Sequence, residues 1–413
     1  MVNKFLYPRG GAETYIFRVG EELQRLGHEV QYFGTYDERN IVGNRLGLYP
    51  KQMDMRSHSL ETLSYPFRVI HSKEAKEKIQ KVLEDFKPDI VHLNNIHFHL
   101  TPSIIEACQE ENVPVYWTVH DFQLMCPNHL LYHHNHVCTL CLDEDYKHCI
   151  TGRCIHDSLP KSVIGAIEAY HYRKKKLYNY VSMYICPSRF MTDKVVNFLR
   201  NRMLAEIGTK ANIYDYYEIE QKISGKRIVF LQNFLEKINY EDTVKEDYVL
   251  FFGRVAEEKG IEQLVSAAKS LPNVRFKVAG NGPEVYRLKN IPNIECVGFK
   301  TGEELYRLIS RAEFVLYPSV WYENCPLSIM EALSLKVPVI TYNAGGMAEL
   351  VENDVTGYTV NNQKELVERI KTLHESKEIR DRMSESCGNV SFHDLTEYTK
   401  ELVKLYESGK AKS

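Results

Sequence analysis

The stretch Trp321–Leu333, WYENCPLSIMEAL, reads as a loop turning into a helix, with an acid on either side of the turn, Glu323 and Glu331. An apolar run at Phe314–Leu316 and a Tyr-Pro-Ser loop precede it, and a second run, Val337–Ile340, follows. Strand, loop, helix, strand is the unit of a parallel sheet covered by helices. Asn324 suits an N-cap, and Pro326 suits the first helical turn, where its missing N–H costs nothing. Glu331 then lies about one and a half turns in, roughly 7 Å along the axis. Free backbone N–H groups around Cys325, Leu327 and Ser328 form an anion site with a carboxylate on each side. Such a site suits a ligand that is half phosphate and half polyol, as a nucleotide sugar is. The spacing alone decides little, since Glu13 and Glu21 share it on what reads as an ordinary amphipathic helix.

The same grammar extends outward in both directions. Tyr248–Phe252 reads as a strand, Gly253–Gly260 as a turn and Ile261–Ser270 as a helix. Val274–Ala279 is a strand ending in Gly280-Asn281-Gly282-Pro283, and Ile294–Val297 is another. In the first half, Val2–Leu6 leads through Pro8, Gly10 and Gly11 into a helix with the stripe Ile16, Val19, Leu23 and Leu26. Gly27 ends it, and Glu29–Phe33, Ile90–Leu93, Val115–Val119 and Met183–Cys186 read as strands. Periodicity breaks around Leu231–Tyr240. The expected fold is α/β: two doubly wound, Rossmann-like domains facing across a cleft. Residues 1–238 form the first and 239–392 the second, with a helix at 393–413 (stripe Leu395, Tyr398, Leu402, Leu405) packing back on the first.

Composition fits a soluble globular protein, with 44% hydrophobic and 26% charged residues among 413. No apolar run approaches the roughly 20 residues of a bilayer span, and no signal peptide is apparent. The opening MVNKFL reads as the tail of a strand, so the natural start is expected to be clipped. A net charge of −3 disfavours nucleic acid as a partner. Ten cysteines without a secretion signal point to reduced thiols in a cytoplasm or to metal ligation.

Two segments stand apart. Within about 126–156, Cys138, Cys141, Cys149 and Cys154 have the short spacings of a structural zinc site, with Cys126 or a histidine as a substitute ligand. Free thiols or an adventitious disulfide are the alternatives. Next, LPKSVIGAIEAYHYRKKKLYNY carries the stripe Val163, Ile164, Ile167 and Tyr170 and then the cations Arg173–Lys176. The plain reading is a core-facing helix with a solvated basic end. The sharper one is peripheral contact with anionic lipid.

Arg254 and Lys259 follow a strand, in the loop of a doubly wound sheet where phosphate is commonly bound. From there the order of motifs becomes specific. The run GR-x3-EKG, AGNGPE, VGF, YPS…E-x7-E, then Ala344–Gly346 and Glu349, resembles the donor domain of GT-B glycosyltransferases, most closely the retaining family 4. Gly10-Gly11-Ala12-Glu13, Gly27-His28-Glu29-Val30, Thr118-Val119-His120-Asp121 and Cys186-Pro187-Ser188 resemble its acceptor domain.

The resemblance implies a nucleotide-sugar donor with a UDP or GDP head, a glycan or lipid-linked acceptor, and work in bacterial polysaccharide or glycolipid synthesis at or near the cytoplasmic membrane face. Arg254 and Lys259 would hold the diphosphate. Glu323 would bind donor-sugar hydroxyls and Glu331 the ribose. Backbone at Asn324, Cys325, Pro326 and Leu327 would meet phosphate and sugar, Phe299 would lie near the base, and Gly11 and Gly282 would allow close approach to the ligand. His120 would reach the reacting sugar; without the resemblance it reads as a strand-end histidine satisfied by backbone. No catalytic metal is required, because the usual paired aspartates are not evident. Asn324-Cys325 departs from the family's usual glycine and bulky apolar residue, and Leu231–Phe234 from its usual linker. A sugar-nucleotide epimerase and a non-catalytic nucleotide-sugar-binding protein are the rival expectations.

Overall fold

The structure, a computed structural model, describes residues 1–53, 64–207, 228–240, 242 and 244–410. The chain divides into two compact units, one of Met1–Leu131, Cys138–Gln232 and Leu395–Ser413, the other of Tyr132–Val137 and Asn233–Asp394. The change of unit falls at Asn233, a few residues ahead of the expected 238. The hairpin Tyr132–His133/His136–Val137 counts with the second unit rather than with the cysteine-rich segment around it.

In the first unit four parallel strands run in the order Val91–Leu93, Val115–Thr118, Val181–Cys186, Ile228–Phe230. The expected strands Val2–Leu6 and Glu29–Phe33 shrink to single bridges, Val2 pairing in parallel with both Phe33 and Leu93. Beyond Val2 the chain leaves the ladder, because the Asn3 amide turns onto the Phe5 carbonyl at 2.8 Å and Lys4 N–H donates to Asn95 O. The helix Gly11–Arg25 buries Tyr15, Ile16, Val19 and Leu23, and Gly27 follows it at φ +92. Ser72 caps Lys73–Phe86 by accepting the Ala75 N–H. The final helix, Leu395–Lys410, belongs to this unit: Tyr398 OH meets Tyr15 OH at 2.8 Å, and Tyr406 O accepts from Tyr116 OH at 2.9 Å. Tyr406, not Leu405, completes its buried face.

The helix Leu159–Lys175 buries Ser162, Gly165, Ala166, Glu168 and Tyr172, while Ile167 of the expected stripe is 47% exposed. Small residues face inward because Ile155 packs over them; a Cβ on Gly165 would lie 2.4 Å from its Cδ1. The basic end is not simply solvated. Arg173 pairs with buried Glu144 at 3.2 Å and Lys175 with Glu106 at 2.7 Å. Among the described residues no helix is long and apolar enough to cross a membrane.

The second unit is a six-stranded parallel sheet in the order Gly357–Val360, Val339–Tyr342, Phe314–Tyr317, Val249–Phe252, Phe276–Ala279, Ile294–Cys296. Its inner strands are largely buried, as parallel strands between helix layers must be, the edge strand Ile294–Cys296 is not, and each face of the sheet carries its own buried cluster. Chain order reverses between Val249–Phe252 and Phe314–Tyr317, so the loops leaving these two neighbours flank a topological switch point, where such sheets bind ligands. Those loops are Gly253–Gly260 and Pro318–Pro326.

Candidate active site

At the switch point Glu323 is the hub. Its Oε1 accepts from Trp321 Nε1–H at 2.7 Å, from Tyr317 OH at 3.1 Å and from Ser319 OH at 3.3 Å, and it forms an ion pair with Lys259 Nζ. Residues 317, 319, 321 and 323 alternate along an extended segment, which puts four side chains on one side of it. Lys259 lies over the rings of Trp321 and Tyr317, 5.2 and 5.9 Å from their centroids, and both Lys259 and Glu323 are largely shielded from solvent. Burial pushes the Glu323 carboxyl up, but the Lys259 ammonium and the surrounding donors outweigh it and hold the group below the usual carboxylate range. Oε2 has no recorded partner among the described residues. The residue is thus a fixed anion with one oxygen committed to the protein and one left to accept ligand hydroxyls.

The glycines around the hub are there for backbone contact. A Cβ on Gly345, which has φ +59, would stand 2.5 Å from Glu323 O, and Gly346 N–H donates to that oxygen at 2.7 Å. The Ala344–Gly346 turn therefore clamps the Glu323 loop. A Cβ on Gly282 would meet Val255 O at 2.0 Å, so this glycine is required by the Arg254-Val255 loop lying on it.

The helix begins at Leu327, with Pro326 at the cap position and no side-chain cap; Asn324 is not the cap. Proline lacks an N–H of its own, so the Leu327 and Ser328 amides open the helix without a side-chain acceptor. Cys325 is a core residue: its Sγ lies 3.7 Å from Met330 Sδ, and burial pushes the thiol up to about 12. Only its backbone can serve a ligand, and its carbonyl already meets Asn233 Nδ2 at 3.5 Å. One and a half turns on, the half-buried Glu331 carboxyl has no partner among the described residues, and burial alone pushes it to about 7.

Neither expected phosphate cation is idle. Lys259 holds Glu323, and Arg254 pairs with Glu258. The Arg254 side chain is 59% exposed, and a solvated pair of that kind is worth under about 1 kcal/mol, so it exchanges readily for a ligand oxygen. Phe299, 68% exposed, stands in the loop after Ile294–Cys296.

In the first unit, Gly10 is extended at φ −167 and opens the helix without a side-chain cap, with open space where a Gly11 Cβ would be. His120, half-buried after Val115–Thr118, is satisfied by a side chain rather than by backbone: its Nε2 meets Asn94 Oδ1 at 2.9 Å, and Tyr15 packs edge-on at 4.8 Å. Burial lowers the ring to about 4, so it is neutral. Behind it, Asp121 accepts from Gln123 N–H at 3.0 Å and pairs with His97 Nδ1 at 3.1 Å, while Lys4 sits on His97 Nε2. This buried network fixes the turn that presents His120.

The expected zinc ligands come partly together: the Cys149 and Cys154 thiols meet, and Cys126 and Cys141 lie near enough to act on them electrostatically. Cys141 and Cys149 are buried with Tyr146, Ile155 and Ala166, Cys154 lies at that cluster's margin, and Cys138 is half-exposed beyond it. The groups whose ligand atoms fall within 4.8 Å of one another, among the described residues, include none of these sulfurs. Burial pushes the thiols of Cys126 and Cys141 up, to about 11 and 12, and neighbouring cysteine sulfurs push them the same way.

Two family models match the chain: Glycosyltransferase Family 4 over residues 9–203 and Glycosyl transferases group 1 over residues 235–387. Alpha-monoglucosyldiacylglycerol synthase of Acholeplasma laidlawii is 23% identical over 392 residues, spanning 91% of this chain and 88% of that protein. Alpha-D-kanosaminyltransferase of Streptomyces kanamyceticus is 30% identical over 153 residues, 34% of this chain and 39% of that one. Among solved structures, Anabaena HepE in complex with UDP and glucose superposes with a TM-score of 0.62 at 15% identity over 98% of each chain. A glycosyltransferase from Rickettsia africae does so with 0.63 at 16% identity, over 100% of this chain and 98% of that one. The two doubly wound sheets have the fold of these enzymes, and the chain belongs to the GT-B glycosyltransferases of family 4.

Proposed function

We propose that the chain moves a sugar from a nucleoside-diphosphate sugar to a glycan or lipid-linked acceptor with retention at the anomeric carbon, in the assembly of bacterial polysaccharide or glycolipid. The carrying observation is the Glu323 hub, an acid with one oxygen saturated by four protein donors and the other open, set beside Lys259 at the switch point.

Breaking the sugar–phosphate bond builds positive character on the anomeric carbon and negative charge on the departing diphosphate. Lys259, Arg254 and the Leu327 and Ser328 amides are fixed donors for that charge, so they stabilise the transition state more than the ground state. The open Glu323 oxygen accepts sugar hydroxyls, and Glu331 accepts those of the ribose. No side chain is assigned as general base; the departing phosphate oxygen takes the acceptor proton. Bound UDP in HepE and diacylglycerol chemistry in the Acholeplasma enzyme's name support a nucleotide donor and a lipid-type acceptor.

The test incubates the protein with a panel of UDP- and GDP-sugars and lipid or glycan acceptors, following nucleotide release and the anomeric configuration of product by NMR. Acceptor-dependent release with retained configuration is expected. Donor consumption without acceptor into an epimer, or nucleotide binding without turnover across the panel, overturns the reading.

A further inference from the structure

The segment between Cys126 and Ser158 has little regular structure: a short hairpin and the helix Lys147–Thr151. Half of the non-glycine residues at positive φ, among the described residues, fall between His129 and Asp157, Leu131 and Arg153 among them. Left-handed backbone at such residues persists only where the surroundings hold it. The buried cluster beneath is small, and two of its members are themselves cysteines, Cys141 and Cys149.

The chain's own bonds gather four sulfurs there. Cys154 N–H donates to Cys149 O at 3.1 Å, closing a turn on which the two thiols meet. Asn128 ties Cys126 to that pair: its Oδ1 accepts from the Cys126 thiol at 2.9 Å, and its Nδ2 donates to Cys154 O at 3.4 Å. Cys141 shares the buried cluster with Cys149, whose amide is directed at the Cys141 sulfur. The amides of Leu131, Asn128 and Leu130 are directed at the Cys126 sulfur. N–H groups aimed at sulfur suit a thiolate, the form that ligates metal. Cys138 is half-exposed and outside the cluster, and it acts on Cys141 less than Cys126 and Cys154 do.

We propose that Cys126, Cys141, Cys149 and Cys154 form a structural zinc site, with Cys126 rather than Cys138 as the fourth ligand. Four thiolates and no open position make a closed site, which staples a loop that lacks a core of its own. Thiolates so close repel one another, and a dication between them reverses the sign of that interaction. Zn–S bonds of about 2.3 Å set neighbouring sulfurs about 3.8 Å apart. No three of these sulfurs lie within 4.8 Å of one another in this structure, so the metal draws them inward and releases the thiol protons. Cys126 N–H donates to Phe122 O at 2.9 Å and Phe122 N–H to His129 O at 3.1 Å, so the staple also anchors the turn that follows His120 and Asp121.

The test uses the full chain purified without a polyhistidine tag. Elemental analysis should find about one zinc per chain. The reactivity of each cysteine toward an alkylating reagent is then mapped by peptide mass spectrometry before and after a chelator strips the metal. Alkylation of Cys126, Cys141, Cys149 and Cys154 should rise about tenfold or more on stripping, that of Cys138 should stay the same, and the melting temperature should fall by several degrees. Cys138→Ser should keep its zinc and Cys126→Ser should lose it; if Cys126→Ser does not fold, the map of the wild type decides between the two ligands. A zinc-free protein whose melting is indifferent to added zinc, a Cys149–Cys154 disulfide in the chain as purified, or chelator-dependent protection of Cys138 instead of Cys126 overturns the proposal.

Discussion

Glu331→Gln should make the unliganded protein more stable at neutral pH while weakening its ligand. Burial raises the Glu331 carboxyl from 4.5 to about 7, and no cation or donor offsets it. A carboxyl with a raised folded-state pKa lowers stability as pH climbs: the unfolded chain loses its proton first, and the native state binds the extra one. Below pH 4.5 both states are protonated and the residue has no electrostatic cost. Between 4.5 and about 7 the cost grows, and above that it is complete. At 1.36 kcal/mol per pH unit the interval sets a ceiling of about 3 kcal/mol, and water access to a half-buried group brings the expectation to about 1–3 kcal/mol. Glutamine has nearly the same shape and no charge to desolvate. Urea unfolding of both proteins between pH 4.5 and 8.5, in a Trp117→Phe background so that Trp321 reports the second unit, measures the gap directly. The gap should open with rising pH. A constant gap, or one that closes, would refute the claim that an unpaired carboxyl is held there.

Lys259→Ala should cost about 10²–10³ in turnover, the usual loss of one preorganised donor, and Arg254→Ala should add to it; wild-type turnover in a folded double variant ends their assignment. Without Lys259, burial dominates at Glu323, so the acid limb of the pH–rate profile should move toward neutral, opposite to the effect expected of a purely phosphate-binding lysine. Gly345→Ala puts a Cβ 2.5 Å from Glu323 O at φ +59 and should destabilise by about 2 kcal/mol or more, with activity falling faster than the folded fraction in a denaturation series. Glu168, buried in the helix Leu159–Lys175 and pushed to about 8 by that burial, predicts that Glu168→Gln gains stability between pH 4.5 and 8.5, read as a rising melting-temperature difference.

Periodicity carried most of the fold. The helix Ile261–Ser270 has the bounds read from its stripe, and every strand expected in the second unit is present within two residues at each end. Local sequence failed where tertiary partners decide. Asn324 has the side chain of a cap, yet the helix starts at Leu327 because the Glu323 loop is clamped by Gly345 and Gly346 instead. Cys325 sits beside an anion site in sequence but packs against Met330. The small inward face of Leu159–Lys175 could not be told from an apolar stripe without knowing that Ile155 lies over it. Tyr406 pairs with His92 and Tyr116, 314 and 290 residues away, a separation no local pattern reports. At the site, Glu323 and Glu331 were legible as acids flanking a helix start. The donors Tyr317, Ser319 and Trp321 were not singled out, although their alternation with Glu323 was the available signal.

Titration calorimetry of the wild type, Lys259→Ala and Glu331→Ala with UDP and GDP tests the donor site most directly. One of the nucleotides should bind the wild type, with affinity falling about tenfold or more in each variant. Absence of binding to the wild type, or equal affinity in all three proteins, would contradict a nucleoside diphosphate gripped between Lys259, Glu331 and the helix amides.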